Sequence, residues 1–337
     1  MTGEVTIIVP ELPGEGGVGD YTQCVIDKWP NQPSLKVVVP HKGSVELPPE
    51  GGNVLVQYSA YGFDRHGYPR KLIRALLDWK RQSRGRLVLM FHEIWTFCPK
   101  LDPNAITQFL HRRALKKLVN SADAVFTTTA NQAAHLEKLC PGKSVTVLPV
   151  GSNIRRKEDV DLTRQRGWAI LFGLAPGRIR ALKQMHRSLS ALAAGGSITK
   201  IIAVGAGNDG LEREERDLLS NLPLQEGFEQ RGRQAEGEIS QLMLVVSYGI
   251  SAQDILSLEK SGAVMAYAAH GLTILNEAAD SKSAEPACWF VSPDELLGGV
   301  SEAELAMRAD RLSAWQQQAS SWERIAIAFA DSMQSSR

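Results

Sequence analysis

The stretch Gly14-Glu15-Gly16-Gly17-Val18-Gly19-Asp20-Tyr21 follows the apolar run Val5-Thr6-Ile7-Ile8-Val9-Pro10 and precedes a helix-like pattern that begins at Cys24. A buried strand, a glycine-rich loop and a helix start form the arrangement by which an α/β sheet brings backbone N–H groups close to an anionic ligand. A Cβ atom in such a loop would block the approach of the ligand. The spacing differs from G-x-G-x-x-G, so a nicotinamide site is not expected. A tight turn without a ligand is the alternative interpretation.

The composition indicates a globular protein with more than one core. A chain of 337 residues is long enough for two domains, and 43% apolar with 22% charged residues is typical of soluble proteins. The sequence contains no run of eighteen apolar residues, so no transmembrane helix is predicted, and no secretory signal is expected. The widely spaced Cys24, Cys98, Cys140 and Cys288 are expected to be reduced thiols of a cytoplasmic protein.

Strand-like and helix-like segments alternate along the first half of the chain, which predicts a doubly wound parallel sheet. The strand candidates are Val5–Pro10, Leu35–Val39, Val54–Tyr58, Leu87–Phe91, Ala124–Thr127 and Val145–Pro149. The helix candidates are Tyr21–Trp29, Pro69–Gln82, Ala105–Val119 and Ala130–Leu139. The polar segment Asn153–Arg166 interrupts the alternation and is interpreted as a linker.

A second α/β series follows the linker. Its strand candidates are Ala169–Phe172, Ile201–Val204, Leu244–Ser247, Leu272–Leu275 and Trp289–Val291, and its helix candidates are Lys183–Ala194, Glu236–Leu242, Gly262–Ala269, 303–317 and 321–334. We therefore predict two doubly wound, Rossmann-like domains facing across a cleft. The predicted divisions are 1–155, 156–320 and a C-terminal helix at 321–337 that returns to the first domain.

The order of several short motifs resembles the GT-B glycosyltransferases, and most closely their retaining, nucleotide-sugar-dependent family 4. The similarity runs over nearly the whole length. Its motifs are the loop Gly16–Tyr21, Phe91–Trp95, Ala122–Thr129, Leu148–Ile154, Phe172-Gly173, Val204–Asn208, Gly262–Gly271 and Trp322–Ala326. The resemblance implies an acceptor-side first domain and a donor-side second domain.

The chain departs from the family pattern at two places. The family has two glutamates eight residues apart, and the position of the second, which binds the ribose, is Ala266 here. Glu259-Lys260-Ser261-Gly262 is similar to a variant of this element. The cations that usually follow the glycine-containing strand are also displaced, because Leu174 follows Gly173. The lost glutamate allows a second hypothesis, a catalytically weakened binding or assembly subunit.

Sugar transfer from a nucleotide diphosphate requires stabilisation of the departing phosphates, by a metal ion or by fixed cations and a helix N-terminus. Asp159-Val160-Asp161 lies in the charged linker, so no metal or other cofactor is expected. The resemblance implies diphosphate binding at a set of glycines and cations, without deciding among the cations. The set is Gly16, Gly17, Gly19, Arg178, Arg180, Lys183, Lys260, Ser261 and Gly262.

The remaining site residues follow other strands, where α/β proteins gather their reactive groups. His92 and Glu93 are the catalytic candidates: His92 would hydrogen-bond the sugar or carry positive charge near it, and Glu93 would orient His92. The alternative is a structural histidine. The acceptor-side candidates are Tyr58, Tyr61 and His66, and the nucleoside-binding candidates are Gly205, Gly207, Asn208, Gly232 and Glu259. The base would be read by main-chain groups near Phe228–Gly232, so uracil and guanine both remain open, with UDP preferred.

The charge is unevenly distributed between the two halves. Residues 1–150 hold 18 Lys and Arg against 13 Asp and Glu, and the remainder holds 20 against 24, which gives net charges of +5 and −4. Much of the excess lies in two clusters, within residues 65–86 and 112–117. A solvated helix face and a surface for anionic lipid or glycan are the two interpretations. Nucleic acid is not expected, because no recognition motif accompanies the charge.

These observations predict a cytoplasmic glycosyltransferase (a hexosyltransferase), peripheral at the inner face of a membrane. Its partners would be a nucleotide sugar, preferably a UDP-sugar, and a polysaccharide or lipid-linked glycan acceptor. The reaction would be retaining and independent of metal. A nucleotide-sugar 2-epimerase on the same fold is a further alternative, but it requires acid/base carboxylates, and Glu93 alone is a poor candidate for that role.

Overall fold

The computed structural model describes residues 4–31, 33–41, 43–94, 105–157 and 163–334. The chain divides into two compact units, Met1–Val150 with Trp322–Arg337 and Gly151–Ser321. The sequence pattern had placed these divisions at 155 and 320. Each unit contains one parallel β-sheet flanked by helices, which is the Rossmann-like arrangement expected from alternating strands and helices.

The first unit contains a six-stranded sheet in the order β2-β1-β3-β4-β5-β6. Its strands are β1 Val5–Ile8, β2 Leu35–Val38, β3 Asn53–Ser59, β4 Leu87–Glu93, β5 Ala124–Thr127 and β6 Thr146–Val147. Its helices up to the division are α1 Gly17–Asp27, α2 Ala60–Phe63, α3 Arg70–Gln82, α4 Ala105–Ser121 and α5 Ala130–Leu139. Every strand pair in this sheet is parallel.

Alternation along β3 and β4 divides the core of the first unit between the two faces of the sheet. Val56 and Tyr58 join one apolar cluster with residues of α3 and α4, whereas Leu55 and Met90 join another with residues of α1. Successive side chains of a strand point to opposite faces, so this division follows from the sequence register. The same alternation decides where the polar residues at the strand ends lie.

The second unit contains a five-stranded parallel sheet in the order β11-β10-β7-β8-β9. Its strands are β7 Gln165–Phe172, β8 Lys200–Val204, β9 Phe228–Gln230, β10 Val246–Ile250 and β11 Thr273–Leu275. Its α-helices are α6 Ala175–Gln184, α7 His186–Ala194, α8 Asp209–Ser220, α9 Glu236–Val245, α10 Gly262–Ala269, α11 Pro293–Leu297 and α12 Glu302–Ser320. Two 3₁₀ helices, Ile255–Lys260 and Ala287–Trp289, complete it.

The last helix, α13 Trp322–Ser332, belongs to the first unit. Ile325 and Phe329 are fully buried in the cluster formed with α1, and the Phe329 ring contacts Phe126 edge to face at 5.2 Å. Lys28 at the end of α1 pairs with Glu323 at 2.5 Å. The C-terminal segment therefore completes one face of the first sheet. No helix in the described part of the chain combines the length and the apolar content that a membrane span requires.

Several segments differ from the sequence prediction, among them helix α1, the predicted helix Lys183–Ala194 and the predicted strand Trp289–Val291. Helix α1 begins at Gly17 rather than near Tyr21, so two of the loop glycines form its first turn. The predicted helix Lys183–Ala194 is the end of α6 followed by α7, because Met185, with φ −97° and ψ 8°, separates them. Trp289–Val291 is not a strand: the segment ends a 3₁₀ turn and forms only an isolated bridge from Val291 to Leu275.

Two fully buried histidines make the fold sensitive to acid. The Nε2 atom of His111 lies 2.7 Å from the Tyr58 hydroxyl. The ring of His270 donates from Nδ1 to the Ala266 carbonyl at 2.7 Å and accepts at Nε2 from the Ser240 hydroxyl at 2.9 Å. Burial is the main cause that lowers the pKa of both histidines to about 4.

We expect the melting temperature to fall as the pH is lowered from about 6.5 to about 5, because the unfolded chain binds protons at these rings near its ordinary pKa of about 6.5. The folded rings stay neutral in this range, so the stability that they contribute is present above pH 6.5 and is lost toward the folded pKa of about 4. Thermal denaturation across this range measures the effect. The H111Q variant should show a shallower decline, whereas H66Q, at an exposed site, should match the wild type. A wild-type melting temperature that is constant between pH 7 and 5 contradicts the assignment.

Candidate functional site

The turns that follow β7 and β8 approach each other closely in the second unit. Gly173 and Gly205 have φ values of +133° and +134°, a backbone conformation that side chains rarely adopt. A Cβ atom at Gly205 would overlap the Gly173 carbonyl, and the Gly205 N–H donates to the Gly232 carbonyl at 2.7 Å. The close packing of these two turns therefore explains why residue 205 is a glycine, whether or not a nucleoside binds there.

Arg178 lies beneath these turns and not at the surface. Its side chain is 2% exposed, and its Nε and Nη2 atoms donate to the Glu215 carboxylate at 2.6 and 3.0 Å. The Nη1 atom donates to the Gly173 carbonyl. Gln230 donates to the same carboxylate at 2.9 Å, which completes a buried polar network. Arg178 is therefore placed to hold the turn after β7, and the structure does not present it to a diphosphate.

The N-terminus of α6 has no open backbone donor in its first turn. The Ala175 N–H donates to the Ala206 carbonyl, the Gly177 and Arg178 N–H groups donate to the Leu174 carbonyl, and Pro176 has no N–H. Leu174 itself is 69% exposed. Helix N-termini bind anions through unsatisfied N–H groups, so this helix end is a poor anion site.

The N-terminus of α10 differs, because it leaves donors open. Ser261 caps the helix by accepting a hydrogen bond from the Val264 N–H at 3.3 Å. Among the described residues, the N–H groups of Gly262 and Ala263 have no hydrogen-bond partner. Lys260 is exposed one residue before the cap. This helix end, after the carboxyl end of β10, therefore combines two available amides with a cation, which suits a phosphate group.

The other donor-side cations and Asn208 differ in exposure and in their partners. Arg180 is exposed on α6, and Lys183 pairs with Glu214 at 2.5 Å. Asn208 caps α8 by accepting a hydrogen bond from the Leu211 N–H at 3.1 Å.

The other nucleoside-binding candidates differ in how much space surrounds them. A Cβ atom at Gly207 would approach Ala175 and Glu212 within 3.1 Å, whereas Gly232 faces open space. Glu259 is half-buried, and Ala266 is fully buried inside α10. Ala266, the position that the resemblance aligns with a ribose-binding glutamate, thus lies in the core.

The glycine loop of the first unit holds a carboxylate of its own. Glu11 Oε1 accepts a hydrogen bond from the Val18 N–H at 3.1 Å, in the first turn of α1. A Cβ atom at Gly16 would overlap the Glu11 carboxylate, and one at Gly19 would overlap the Leu12 carbonyl, whereas Gly17 faces open space. Packing within the loop accounts for Gly16 and Gly19. Diphosphate binding at this helix end remains a prediction, and it requires Glu11 to move.

His92, at the carboxyl end of β4, is held by Gln57 on the neighbouring strand. Its Nε2 atom lies 2.8 Å from Gln57 Oε1, which can only accept, so Nε2 carries the proton. The ring contacts Tyr21 edge to face with centroids 4.6 Å apart. Among the described residues, Gln57 Nε2 and the Tyr21 hydroxyl are buried without hydrogen-bond partners. Unsatisfied buried polar groups are uncommon in proteins, so their place beside His92 marks this strand end as a candidate site.

Glu93, the next residue, is exposed and accepts a hydrogen bond from the Ser59 hydroxyl at 3.2 Å. Adjacent residues of a strand point to opposite faces. Gln57 thus provides the contact that fixes the His92 ring, a role that the sequence analysis had given to Glu93. A direct role of the Glu93 carboxylate in the reaction stays a prediction.

The acceptor-side candidates separate into core and surface. Tyr58 is fully buried and lies on the face of the sheet covered by α3 and α4, where its hydroxyl bonds to His111 and where burial raises its pKa. It is therefore a core residue and not a lining residue. Tyr61 is 41% exposed, and the exposed His66 accepts a hydrogen bond from Arg65 Nε at 2.9 Å.

Sequence reasoning missed Gln57, Glu11 and Glu215. A glutamine in the apolar strand Val54–Tyr58 is a signal for Gln57, because a buried amide needs a partner. Glu11 and Glu215 gave no comparable signal, since each lies in a polar segment. Asp159-Val160-Asp161 falls outside the described residues, and within the described ranges no group of three or more His, Cys, Asp or Glu side chains is placed to hold a metal ion.

No protein-family model matches the chain, and no curated protein matches it. Among solved structures, the chain is similar to a sucrose-phosphate synthase from Thermosynechococcus elongatus, with a TM-score of 0.60 and 12% identity over 98% of each chain. It is similar to a glycosyltransferase from Rickettsia africae (TM-score 0.59, 12% identity, 99% of this chain and 100% of that chain). A third is an α-glucosyltransferase in complex with UDP and a 13-mer DNA containing a HMU base (TM-score 0.57, 10% identity, 98% and 99%). At such low sequence identity, these structural similarities show the fold alone, which is GT-B.

Proposed function

We propose that this chain, a GT-B protein with two Rossmann-like units, is a glycosyltransferase of the hexosyl type that uses a nucleotide-diphosphate sugar. A UDP-sugar is the preferred donor, since one similar structure is a complex with UDP and another a complex with UDP-glucose. The observation that carries the proposal is the N-terminus of α10, where the N–H groups of Gly262 and Ala263 follow Lys260 by two and three residues along the chain. It would provide an anion site at the strand edge where α/β proteins bind ligands.

In the proposed reaction, the bond between the sugar and the diphosphate breaks and leaves two negative charges on the departing group. Main-chain N–H groups and a lysine at α10 would stabilise these charges. In a retaining reaction, the departing phosphate accepts the proton of the acceptor hydroxyl. A strong protein base is then unnecessary, which suits a chain whose catalytic candidates are a histidine and an exposed carboxylate.

His92 is the proposed sugar-side residue. Because Gln57 accepts its Nε2–H, the ring has one orientation, in which it would contact a sugar hydroxyl. The Gln57 amide and the Tyr21 hydroxyl, both buried beside the ring, would gain partners from ordered water or from a hydroxyl-rich ligand. The proposed acceptor is a polysaccharide or a lipid-linked glycan, with the protein at the inner face of a membrane.

A catalytically weakened binding or assembly subunit is the second candidate. The buried Ala266, the exposed Leu174 and the internal position of Arg178 favour it, because each removes a donor contact that the family would have. Such a protein would bind a nucleotide without turning it over.

A panel of UDP- and GDP-sugars tests the proposal. We expect slow release of nucleotide diphosphate from at least one donor, because transferases leak product to water when no acceptor is present. Release with the sugar otherwise unchanged supports a transferase. Saturable UDP binding without release from any donor supports the weakened subunit, and an isomerised sugar indicates epimerase chemistry. The absence of both binding and release rejects the proposal.

The same assay with a chelator tests whether the leaving group depends on a metal ion. We propose that turnover is retained in the presence of EDTA, because in the proposed site main-chain amides and Lys260 would receive the phosphate charge. A strict requirement for Mg²⁺ or Mn²⁺ contradicts this part of the proposal and leaves the transferase assignment in place.

A further inference from the structure

Helix α4 carries an exposed apolar surface near its start. Ile106, Phe109 and Leu110 are 74%, 65% and 46% exposed. Their spacing of three and four residues places them on one face of the helix. Isolated exposed apolar residues need no explanation, but three adjacent ones on one helix face form a patch that costs free energy in water.

The same face continues as a cationic surface over the next two turns. Arg113, Lys116 and Lys117 are exposed, and helix α4 contains four Lys and Arg residues with no Asp or Glu. At 1.5 Å per residue, the face from residue 106 to residue 117 is about 16 Å long. We call it the α4 face: Ile106, Phe109 and Leu110 at one end, and the three cations at the other.

Packing of the opposite side of α4 prevents this face from turning inward. Leu115, Leu118 and Val119 are fully buried against the sheet, and His111 bonds to Tyr58. A rotation that buried Phe109 would therefore expose a larger apolar area and break this contact. The patch is a consequence of the sequence and is not a packing fault.

The neighbouring helix α3 adds to the positive charge. Residues 65–86 contain eight Lys and Arg and a single acidic residue, Asp78. Arg70, Lys71 and Arg74 are exposed on α3. Each Lys or Arg close to an anionic lipid surface adds to the attraction between the protein and that surface.

We propose that the α4 face docks on a bilayer that contains anionic lipids. The apolar end enters the boundary between headgroups and acyl chains, and the cations contact lipid phosphates, as interfacial amphipathic helices do. A nucleic acid would use the cations but has no place for exposed Ile106 and Leu110, so the lipid surface fits both ends. Access to a lipid-linked acceptor as the purpose of this contact rests on the proposed function.

Vesicle flotation of the full chain tests the docking surface without any sugar donor, so its outcome is separate from that of the proposed activity. We expect binding to vesicles of phosphatidylcholine mixed with phosphatidylglycerol to exceed binding to phosphatidylcholine alone by about tenfold or more. The triple variant I106S/F109S/L110S and the charge variant K116E/K117E should each lose about tenfold or more. L297S, at an exposed apolar site of the second unit, is the matched control. Thermal denaturation verifies that each variant is folded.

Several results overturn the proposal. The α4 face is not a lipid-binding surface if the wild type binds both vesicle types equally. The same conclusion follows if the folded triple variant binds anionic vesicles as well as the wild type does. The proposal is also wrong if the wild type binds duplex DNA at least as tightly as the anionic vesicles, and if K116E/K117E loses DNA binding whereas the triple variant keeps it. That result identifies a nucleic-acid surface instead. A dimer that the triple variant dissociates, without vesicle binding by the wild type, identifies a second copy of the chain as the occupant.

Discussion

Replacement of Arg178 by methionine is expected to destabilise the second unit by about 3–5 kcal/mol, because it leaves the Glu215 carboxylate buried without its counter-charge. For a unit of this size, the melting temperature should fall by roughly 6–20 °C. Thermal denaturation of the full chain measures this change. The effect is large because Glu215 is 1% exposed and water cannot replace the lost guanidinium.

Two further variants separate the buried charge from other effects. R180M, on the exposed side of the same helix, should change stability by less than about 0.5 kcal/mol. The double variant R178M/E215L removes both charges and should recover most of the loss. If R178M instead kept the wild-type melting temperature and lost affinity for UDP, Arg178 would be a phosphate ligand, and the structural assignment would be wrong.

Replacement of His92 by alanine is expected to lower kcat by about 100-fold and to change donor affinity by less than about threefold. The reason is that the proposed role of His92 is confined to the sugar in the transition state, whereas the proposed nucleotide site lies in the second unit. Steady-state kinetics with the donor found in the panel, together with UDP titration, measure the two quantities.

Controls for His92 address its place in the core. H135A, at a histidine on α5 whose Nδ1 bonds to the Asn131 carbonyl of its own helix, should keep wild-type turnover. Q57L removes the partner of His92 Nε2 and should lower kcat less than H92A does, with a change in the pH profile. Equal losses of kcat and donor affinity in H92A, with a lower melting temperature, identify a structural histidine instead.

Local patterns predicted much of each Rossmann-like unit. Period-two apolar runs located the central strands, and Gly262–Ala269 is a helix with the predicted bounds. The predicted ends of helices were wrong where tertiary packing decides them. Helix α1 includes Gly17, which is a poor helix former, and Met185 divides one predicted helix into two. Intrinsic helix preference is a weak guide to such ends.

The candidate site was predicted less well, because the sequence lists chemical groups without their partners. Arg178 and Arg180 are both arginines near one strand end, yet one is buried and paired and the other is exposed. A difference of two residues is about 200° around a helix, so it places the two side chains on nearly opposite faces. Which face is buried depends on α8, which carries Glu215.

The sequence by itself determined the alternation of strands and helices and the absence of acidic residues along 105–121. These are properties of residue identity and spacing, and they act through short-range geometry. Only the tertiary structure decided that Arg178 pairs with Glu215, that Gln57 holds His92, and that Glu11 occupies the end of α1. The physical reason is that a charge or a polar group acts according to its burial and its nearest partner, and in this protein those partners lie 7, 35 and 37 residues away along the chain.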